Sequence, residues 1–417
     1  MDPQSARGGS ALHDPNFRLF LSARFLGNIA TQIQSVAIGW QVYALTGNLL
    51  DLGLIGLAQF APFVALVLFA GQVADRYDRR RIIMLCHLLA FVCGLLLLAF
   101  TLLGAKTVWP VFGVLALFGA ARAFLMPAGQ AIVINLVPAS GFNQAVALNS
   151  STFHLAVVLG PVLGGVLYLA GPAVAYLVAT VLLAVSVLLL MRMRVAARAA
   201  QPEQTTSWRT LFEGLHYVWS RPLVLGAISL DLFAVLFGGA SALLPAYARD
   251  VLDIGPTGLG LLRTAPAVGA AITAATLTMR PISQHVGRWM FGGVAVFGIA
   301  TIVFGCSHDP VLSFVALAIT GAGDMVSVYI RHILVQLATP DEIRGRVSAV
   351  NAVFIGASNE LGEFESGLTA KWLGLVRSVM VGGVATLVVT GAWMALFPGL
   401  RTMGAFPQAA PARDRTS

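Results

Sequence analysis

Two long stretches without a single acidic residue, lysine or arginine flank a short, highly charged segment near the start of the chain. Leu52–Ala70 and Ile82–Leu103 are apolar, and each approaches the roughly 20 residues that a helix needs to cross a bilayer. Between them, Gly71–Arg81 reads GQVADRYDRRR and holds six charged side chains, four of them arginine. A segment this charged does not lie in hydrocarbon. The pattern therefore predicts a hairpin between two membrane helices.

The composition extends this prediction to all 417 residues. Apolar residues make up 58% of the chain and charged residues only 11%, and the mean hydropathy is +0.83, far from the range of soluble domains. The apolar runs, and the glycine, proline and charged residues between them, predict an all-α polytopic membrane protein with twelve transmembrane helices. These are expected at residues 17–46, 52–74, 82–104, 108–137, 142–170 and 172–193, and then at 222–250, 256–279, 288–306, 310–339, 344–372 and 376–398.

Lysine and arginine are unequally distributed between the two sides of the predicted membrane. Of the 26, 19 lie in loops or at helix ends on the hairpin's side, four lie in loops or at helix ends on the opposite side, and three lie inside predicted helices. The positive-inside rule therefore predicts that both termini are cytosolic. In this interpretation the net charge of +8 reflects topology and an attraction to anionic lipid, and it gives no support to nucleic-acid binding. The polar first 16 residues lead into a full-length span, so no cleavable signal peptide is expected.

The sequence also repeats itself in chain order at a nearly constant offset. The matching pairs, 202 to 209 residues apart, include Tyr43 with Tyr247, Arg79 with Arg288, Arg122 with Arg331, and Gly160 with Gly362. Such a repeat predicts two homologous halves of six helices each. We expect these bundles at residues 17–193 and 222–398, a polar cytosolic linker at 194–221, and cytosolic tails at 1–16 and 399–417.

The charged hairpin matches a family signature. The pattern G-x-x-x-D-R-x-G-R-[RK] is met at Gly71, Asp75, Arg76, Arg79 and Arg80, which resembles the loop signature of the major facilitator superfamily. The resemblance implies two pseudo-symmetric six-helix bundles around a central cavity, and a conformational latch between this loop and the start of the eleventh helix, near residues 341–346. Asp78 stands where the family has glycine, so a turn with positive φ and some strain is expected there. The alternative is a simple positive-inside anchor.

A second motif lies in the fifth span, where residues 156–165 read AVVLGPVLGG. It resembles the pattern G-x-x-x-G-P-x-x-G-G of the antiporter branches of this superfamily and is met at Gly160, Pro161, Gly164 and Gly165. Proline removes a helix hydrogen bond and glycine permits close approach of backbones, so the segment is expected to bend and to pack tightly. Generic packing of small residues is the alternative interpretation.

Charged and polar residues within the predicted spans are costly there and usually functional. The candidates for a proton or substrate cavity are Asn28, Gln32, Arg122, Asp231, Asp324, Arg331, Glu360 and Glu363. Helical spacing places Asp324 on the same face as Arg331, and Glu360 on the same face as Glu363. We expect one of these buried carboxyls, tuned by Arg122 or Arg331, to take up and release a proton. Structural ion pairs, and helix packing for Asn28 and Gln32, are the alternatives.

The sequence has neither a phosphate-binding glycine loop nor a metal-spaced cluster of His or Cys. We therefore expect a transporter with no metal and no cofactor other than the coupling proton. The pattern from Asn16 to about Pro398, including NFRLFLSARFLGN and GRVSAVNAVFIGASNELGEF, resembles the branch of enterobactin exporters and macrolide efflux pumps. The resemblance implies proton-coupled export of a small amphipathic molecule, a siderophore or a drug, across the bacterial inner membrane, and we expect a monomer. Import of a metabolite or lipid, and a non-transporting receptor, are the alternatives.

Overall fold

The computed structural model describes residues 11–194 and 208–407, and twelve long helices dominate this part of the chain. In the first half they are α1 (Pro15–Thr46), α2 (Leu49–Arg76), α3 (Arg79–Leu102), α4 (Trp109–Ala131), α5 (Phe142–Leu169) and α6 (Pro172–Arg192). In the second half they are α7 (Pro222–Gly238), α8 (Gly255–Met279), α9 (Val286–Cys306), α10 (Pro310–Ala338), α11 (Asp341–Leu373) and α12 (Leu375–Leu396). The predicted all-α polytopic membrane fold is confirmed.

Helices α1 and α11 differ from the other ten in their polarity. The ten are long and apolar enough to cross a membrane by length and composition. The two exceptions are the longest helices, with 32 and 33 residues, but polar side chains interrupt their apolar runs. Polar residues in a span usually face the protein interior or a water-filled cavity. We therefore expect α1 and α11 to contribute side chains to a functional site.

Contacts divide the chain into two compact units. The first contains residues 1–45 and 61–205, and the second contains residues 46–60 and 206–417. Helix α2 therefore begins in the second unit and ends in the first, and Pro62 lies close to the change. In the first unit, a core of buried side chains lies where four helices begin or end: Phe20 in α1, Ile83 in α3, Ile132 after α4, and Leu190 in α6.

The seventh span is interrupted, whereas the sequence predicted one helix over residues 222–250. The α-helix ends at Gly238, and the span continues through short turns of 3-10, α and π type at Ser241–Leu243, Leu244–Ala246 and Tyr247–Val251. Ser366 of α11 donates a hydrogen bond to the Gly239 carbonyl at 2.7 Å. Backbone polar groups in a membrane must be satisfied within the protein, so this hydroxyl makes the interruption possible. Gly238, Gly239 and Pro245 are the signs of it in the sequence, because glycine and proline interrupt helices.

A helix that the sequence analysis did not predict lies in the linker, at Trp208–Ser220. Its Val218 is fully buried in a cluster with Val224 of α7 and Val347 of α11, and its Glu213 carboxylate pairs with Arg346. This linker helix is therefore part of the second unit. The predicted linker residues 195–207, and residues 1–10 and 408–417 of the predicted tails, lie outside the described residues.

Candidate functional site

The turn of the charged hairpin consists of two residues, because α2 ends at Arg76 and α3 begins at Arg79. Asp78 has a φ of −59°, and its carboxylate accepts a hydrogen bond from the backbone N–H of Arg80 at 2.9 Å. Aspartate is among the preferred residues at this position before a helix. The expectation of positive φ and strain at Asp78 is therefore wrong, because the residue caps the N-terminus of α3.

Two arginines of the hairpin bind the ends of other helices in the first unit. Arg79 donates from Nη1 to the Ala131 carbonyl, which closes α4, at 2.9 Å. Arg80 donates from Nε to the Leu190 carbonyl at 2.8 Å and from Nη2 to the Met191 carbonyl at 2.6 Å, at the end of α6. The last carbonyls of a helix lack intrahelical partners and are partly negative. These arginines therefore fasten three helices to one another.

The other residues of the predicted latch are described only in part. Gly71 is half-buried and Arg76 is exposed near the end of α2. The side chain of Asp75 lies outside the described residues, as do those of Asp341, Glu342 and Arg344 at the start of α11. The contact predicted between this loop and α11 stays a prediction.

The glycines of the antiporter-type motif determine how closely α5 approaches α1. Gly160, Pro161, Gly164 and Gly165 are all buried, and α5 continues through the proline. A Cβ at Gly160 would overlap the Gln32 side chain, and one at Gly164 would come within 3.1 Å of the Ile33 Cα. The motif therefore packs against the face of α1 that carries Gln32 and Ile33.

Polar groups of α1 are incompletely satisfied among the described residues. Asn28 and Gln32 are half-buried, and the Asn28 Nδ2 has no hydrogen-bond partner there. Gln34, which was not among the predicted site residues, is only 1% exposed, and neither of its amide atoms has a partner within the described part of the chain. The signal in the sequence that could have identified Gln34 was an amide side chain within an apolar run. Buried polar groups of this kind usually bind ordered water.

Arg122, the candidate arginine of the first half, lies against an aromatic ring. Its side chain is exposed, and its Cζ is 5.3 Å from the centroid of the Phe63 ring in α2. This is the geometry of a cation–π interaction. Arg122 therefore contacts an aromatic ring of the first unit.

A buried ion pair joins α7 and α10 in the second unit. Arg331 of α10 places Nη1 2.5 Å from Oδ2 of Asp231 in α7, and the two side chains are 2% and 5% exposed. The residue before each partner belongs to the apolar core: Leu230 precedes Asp231, and Ile330 precedes Arg331. Removing one partner of such a pair leaves an uncompensated buried charge. The two residues therefore depend on each other.

Asp324 adds a second carboxyl to this pair. It lies seven residues before Arg331 and shares its face of α10, and its carboxyl lies within electrostatic range of both Asp231 and Arg331. Unlike the ion pair, Asp324 is only half-buried. His332, the titratable residue next to Arg331, is exposed. With every member ionised, two carboxylates and one guanidinium have a net charge of −1, and one bound proton brings the cluster to zero.

The two glutamates of α11 lie on the same face of that helix. Glu360 is 6% exposed and Glu363 is half-buried. Arg263 of α8, which was not among the predicted site residues, lies within electrostatic range of Glu363. In the second unit Gly56 leaves room for this glutamate, because a Cβ there would lie 2.6 Å from Glu363 Oε2. The signal in the sequence that could have identified Arg263 was its charge within a predicted span.

Comparison with known proteins extends over nearly the whole chain. Residues 8–413 match the family model described as transmembrane secretion effector. The enterobactin exporter EntS of Citrobacter koseri is 27% identical over 408 residues, which cover 96% of this chain and 95% of that protein. The exporter of the same name from Shigella boydii is 26% identical over 408 residues, 96% of each chain.

Solved structures share the fold at low identity. A bacterial homologue of the human lysosomal transporter Spinster, in an inward-facing and occupied conformation, matches with a TM-score of 0.73 at 14% identity, over 92% of this chain and 96% of that one. The nucleoside transporter NupG matches with a TM-score of 0.69 at 14% identity, over 92% and 99%. With the family match, these findings establish a multi-pass membrane transporter. The chain belongs to the transmembrane secretion effector family of the major facilitator superfamily.

Proposed function

We propose that this protein exports a small amphipathic molecule, a siderophore or a drug, from the cytosol across the bacterial inner membrane in exchange for protons. The observation that supports the substrate class is similarity to enterobactin exporters over 96% of the chain. Both termini then lie in the cytosol, as the arginines of the loops predict. A single chain is the transporting unit.

The coupling site in this proposal is the cluster of Asp231, Asp324 and Arg331. The 2.5 Å ion pair holds Asp231 in place, while Asp324 lies within electrostatic range of the same guanidinium and is only half-buried. Asp324 is therefore the member that exchanges a proton with water. Arg331 and Asp231 position it and set the charge that it experiences.

The charge of the cluster gives a physical link between protonation and conformation. Without the proton the cluster has a net charge of −1, which favours a state that exposes it to water, because an uncompensated buried charge is costly. With the proton it is neutral, and a state that seals it from water becomes accessible. A proton that binds one conformation better than the other shifts the balance between them. Alternating access then couples proton entry to substrate exit.

The test is Asp324→Asn, which keeps the shape of the side chain and removes its charge. In everted vesicles, we expect proton-dependent accumulation of enterobactin or of a drug from a screening panel to fall at least about tenfold, since coupling free energies of this kind correspond to factors of roughly 5 to 150. Substrate binding, measured as thermal stabilisation of the purified protein, should change little. Asp250→Asn is the matched control, because that carboxylate is 45% exposed at the end of the seventh span.

Two results would contradict this proposal. Undiminished proton-dependent accumulation by the Asp324→Asn variant would exclude Asp324 as the coupling group and direct attention to Glu363. Uptake of the substrate by intact cells, without accumulation in everted vesicles, would reverse the direction of transport and favour the importer.

A further inference from the structure

A groove opens on the surface of the second unit between α8, α9 and α10. It has a volume of about 570 Å³, within the range of roughly 300 to 1,000 Å³ that is usual for small-molecule sites. Its walls are almost entirely apolar and are formed by Thr273, Gly292, Gly293, Val296, Ala322, Gly323 and Val326. The groove residues of α10 point largely away from Asp324 and Arg331 on the helix. This groove is therefore not the proposed proton site.

One end of the groove is positively charged. His285, Arg288 and Trp289, at the start of α9, line it there, and all three are exposed. Within residues 11–194 and 208–407, no hydrogen bond or ion pair joins the Arg288 side chain to another residue. Tryptophan is typical of the level at which lipid headgroups meet hydrocarbon. The charged end thus lies at the membrane surface, and the apolar part extends inward from it.

The apolar surface continues past the groove along the same face of α9. Ile299 and Val303, which follow Val296 at helical spacing, are 53% and 39% exposed. From Arg288 to Val303 the helix rises about 22 Å, more than the roughly 15 Å that one leaflet contributes to the hydrocarbon core. A surface of this length can contact an extended acyl chain over the full depth of one leaflet.

We propose that this groove binds an anionic phospholipid, with the headgroup phosphate at Arg288 and one acyl chain along Gly292 and Val296. A free phosphate would gain nothing from the apolar walls, and a zwitterionic lipid such as phosphatidylcholine would bring a choline cation to the same end of the groove as Arg288, which opposes its binding. In the predicted topology, the Arg288 end faces the cytosolic leaflet, whose surface is negative. The single charged end and the apolar channel together match a lipid of net negative charge.

Gly292 offers a way to fill the groove without disturbing the helices. A Cβ at Gly292 would meet no heavy atom within 4 Å, whereas one at its neighbour Gly293 would lie 2.8 Å from the Gly323 carbonyl oxygen. Gly292→Leu therefore places a side chain in the groove itself. Gly391→Leu is the matched control, because Gly391 of α12 is also exposed and has the same open space around it.

The experiment compares lipid retention by the purified full-length protein in native mass spectrometry after addition of phosphatidylglycerol or phosphatidylcholine. The wild type should retain phosphatidylglycerol preferentially, and Gly292→Leu should abolish this preference. Arg288→Gln should weaken it about fivefold, since one basic residue near the surface contributes about 1 kcal/mol to binding of anionic lipid. Arg280→Gln, which removes an exposed cation outside the groove, should behave like the wild type.

Equal retention of the two lipids, or retention that neither variant changes, would overturn the proposal. If Gly292→Leu instead separated a dimer and left lipid retention intact, the groove would be an interface with a second copy, and the lipid site would be excluded. Because Arg288 is exposed, Arg288→Gln is expected to fold normally, and its thermal unfolding curve checks this.

Discussion

The loops after α2 and after α8 are equivalent positions of the internal repeat, yet they are fastened in different ways. In the first loop, the side chains of Arg79 and Arg80 donate to the final carbonyls of α4 and α6. In the second, the backbone N–H groups of Val286 and Gly287 donate to the carbonyls of Gly404 and Met403 at 3.3 and 2.9 Å. Both devices satisfy unpaired groups at helix ends: arginine side chains donate to final carbonyls in the first loop, and carbonyls after α12 accept from the first N–H groups of α9 in the second.

This difference explains why the side chain of Arg288, the counterpart of Arg79, makes different contacts. The second loop is held by backbone contacts, since Gly287 lies so close to the turn Pro398–Arg401 that a Cβ would overlap the Leu400 carbonyl. Arg288 is therefore not needed to close a helix end, and its side chain lines the apolar groove instead. A duplicated arginine kept its place in the sequence while its contacts changed.

The largest loss of stability is expected from a substitution at Gly287. Gly287→Val should lower the free energy of unfolding by about 3 kcal/mol, because overpacking against a backbone carbonyl forces the terminal turn away from α9. Reversible unfolding of the purified protein in detergent is the measurement. Gly391→Val, at an open helical position, should cost far less. Equal stability of the two variants would mean that the second loop does not depend on the chain after α12.

A smaller effect is expected from the first loop. Arg80→Gln removes charge-assisted bonds to two carbonyls, and hydrogen bonds to charged groups contribute roughly 1.5 to 3 kcal/mol. Arg81→Gln is the control, because Arg81 is 78% exposed and lies 3.6 Å from Asp78, and exposed ion pairs contribute about 0 to 1 kcal/mol. If both variants unfold alike, the arginine bonds do not stabilise the first loop, and the contrast with the second is lost.

The smallest of these predictions concerns the helix cap at Asp78. Asp78→Ala should destabilise the protein by about 1 kcal/mol, whereas Asp78→Asn and Asp78→Gly should cost only a few tenths, because asparagine and glycine also suit this position. The same unfolding measurement orders the three variants. A glycine variant more stable than the wild type would restore the idea of strain that the φ of −59° at Asp78 contradicts.

Hydropathy and charge predicted most of the fold because membrane spans depend on one-dimensional properties. Helix α12 was expected at 376–398 and lies at Leu375–Leu396. The interruption after Gly238 was missed although Gly239 and Pro245 mark it, but its hydrogen bond from the Ser366 hydroxyl, more than a hundred residues away, could not be predicted. The linker helix was overlooked although Leu211, Leu215 and Val218 recur at helical spacing, and only its burial against α7 and α11 could not be predicted.

The site was predictable only where its members share a helix. Spacing alone placed Asp324 and Arg331 on one face of α10, but nothing in the sequence paired Arg331 with Asp231, which lies on another helix. Likewise, the pattern of the hairpin predicted a signature loop but not that Arg80 binds the end of α6. Contacts between distant segments follow from packing, which a single sequence does not record.

The Asp231–Arg331 pair also restricts how this sequence can evolve. Loss of either partner alone costs about 3 to 5 kcal/mol, whereas exchange of both for apolar residues of similar volume is often neutral. That single loss is a large share of the roughly 5 to 15 kcal/mol by which proteins are stable. Mutational paths that change one residue at a time therefore pass through a poorly folding intermediate. Under selection for folding alone, descendants of this chain keep both residues or lose both together.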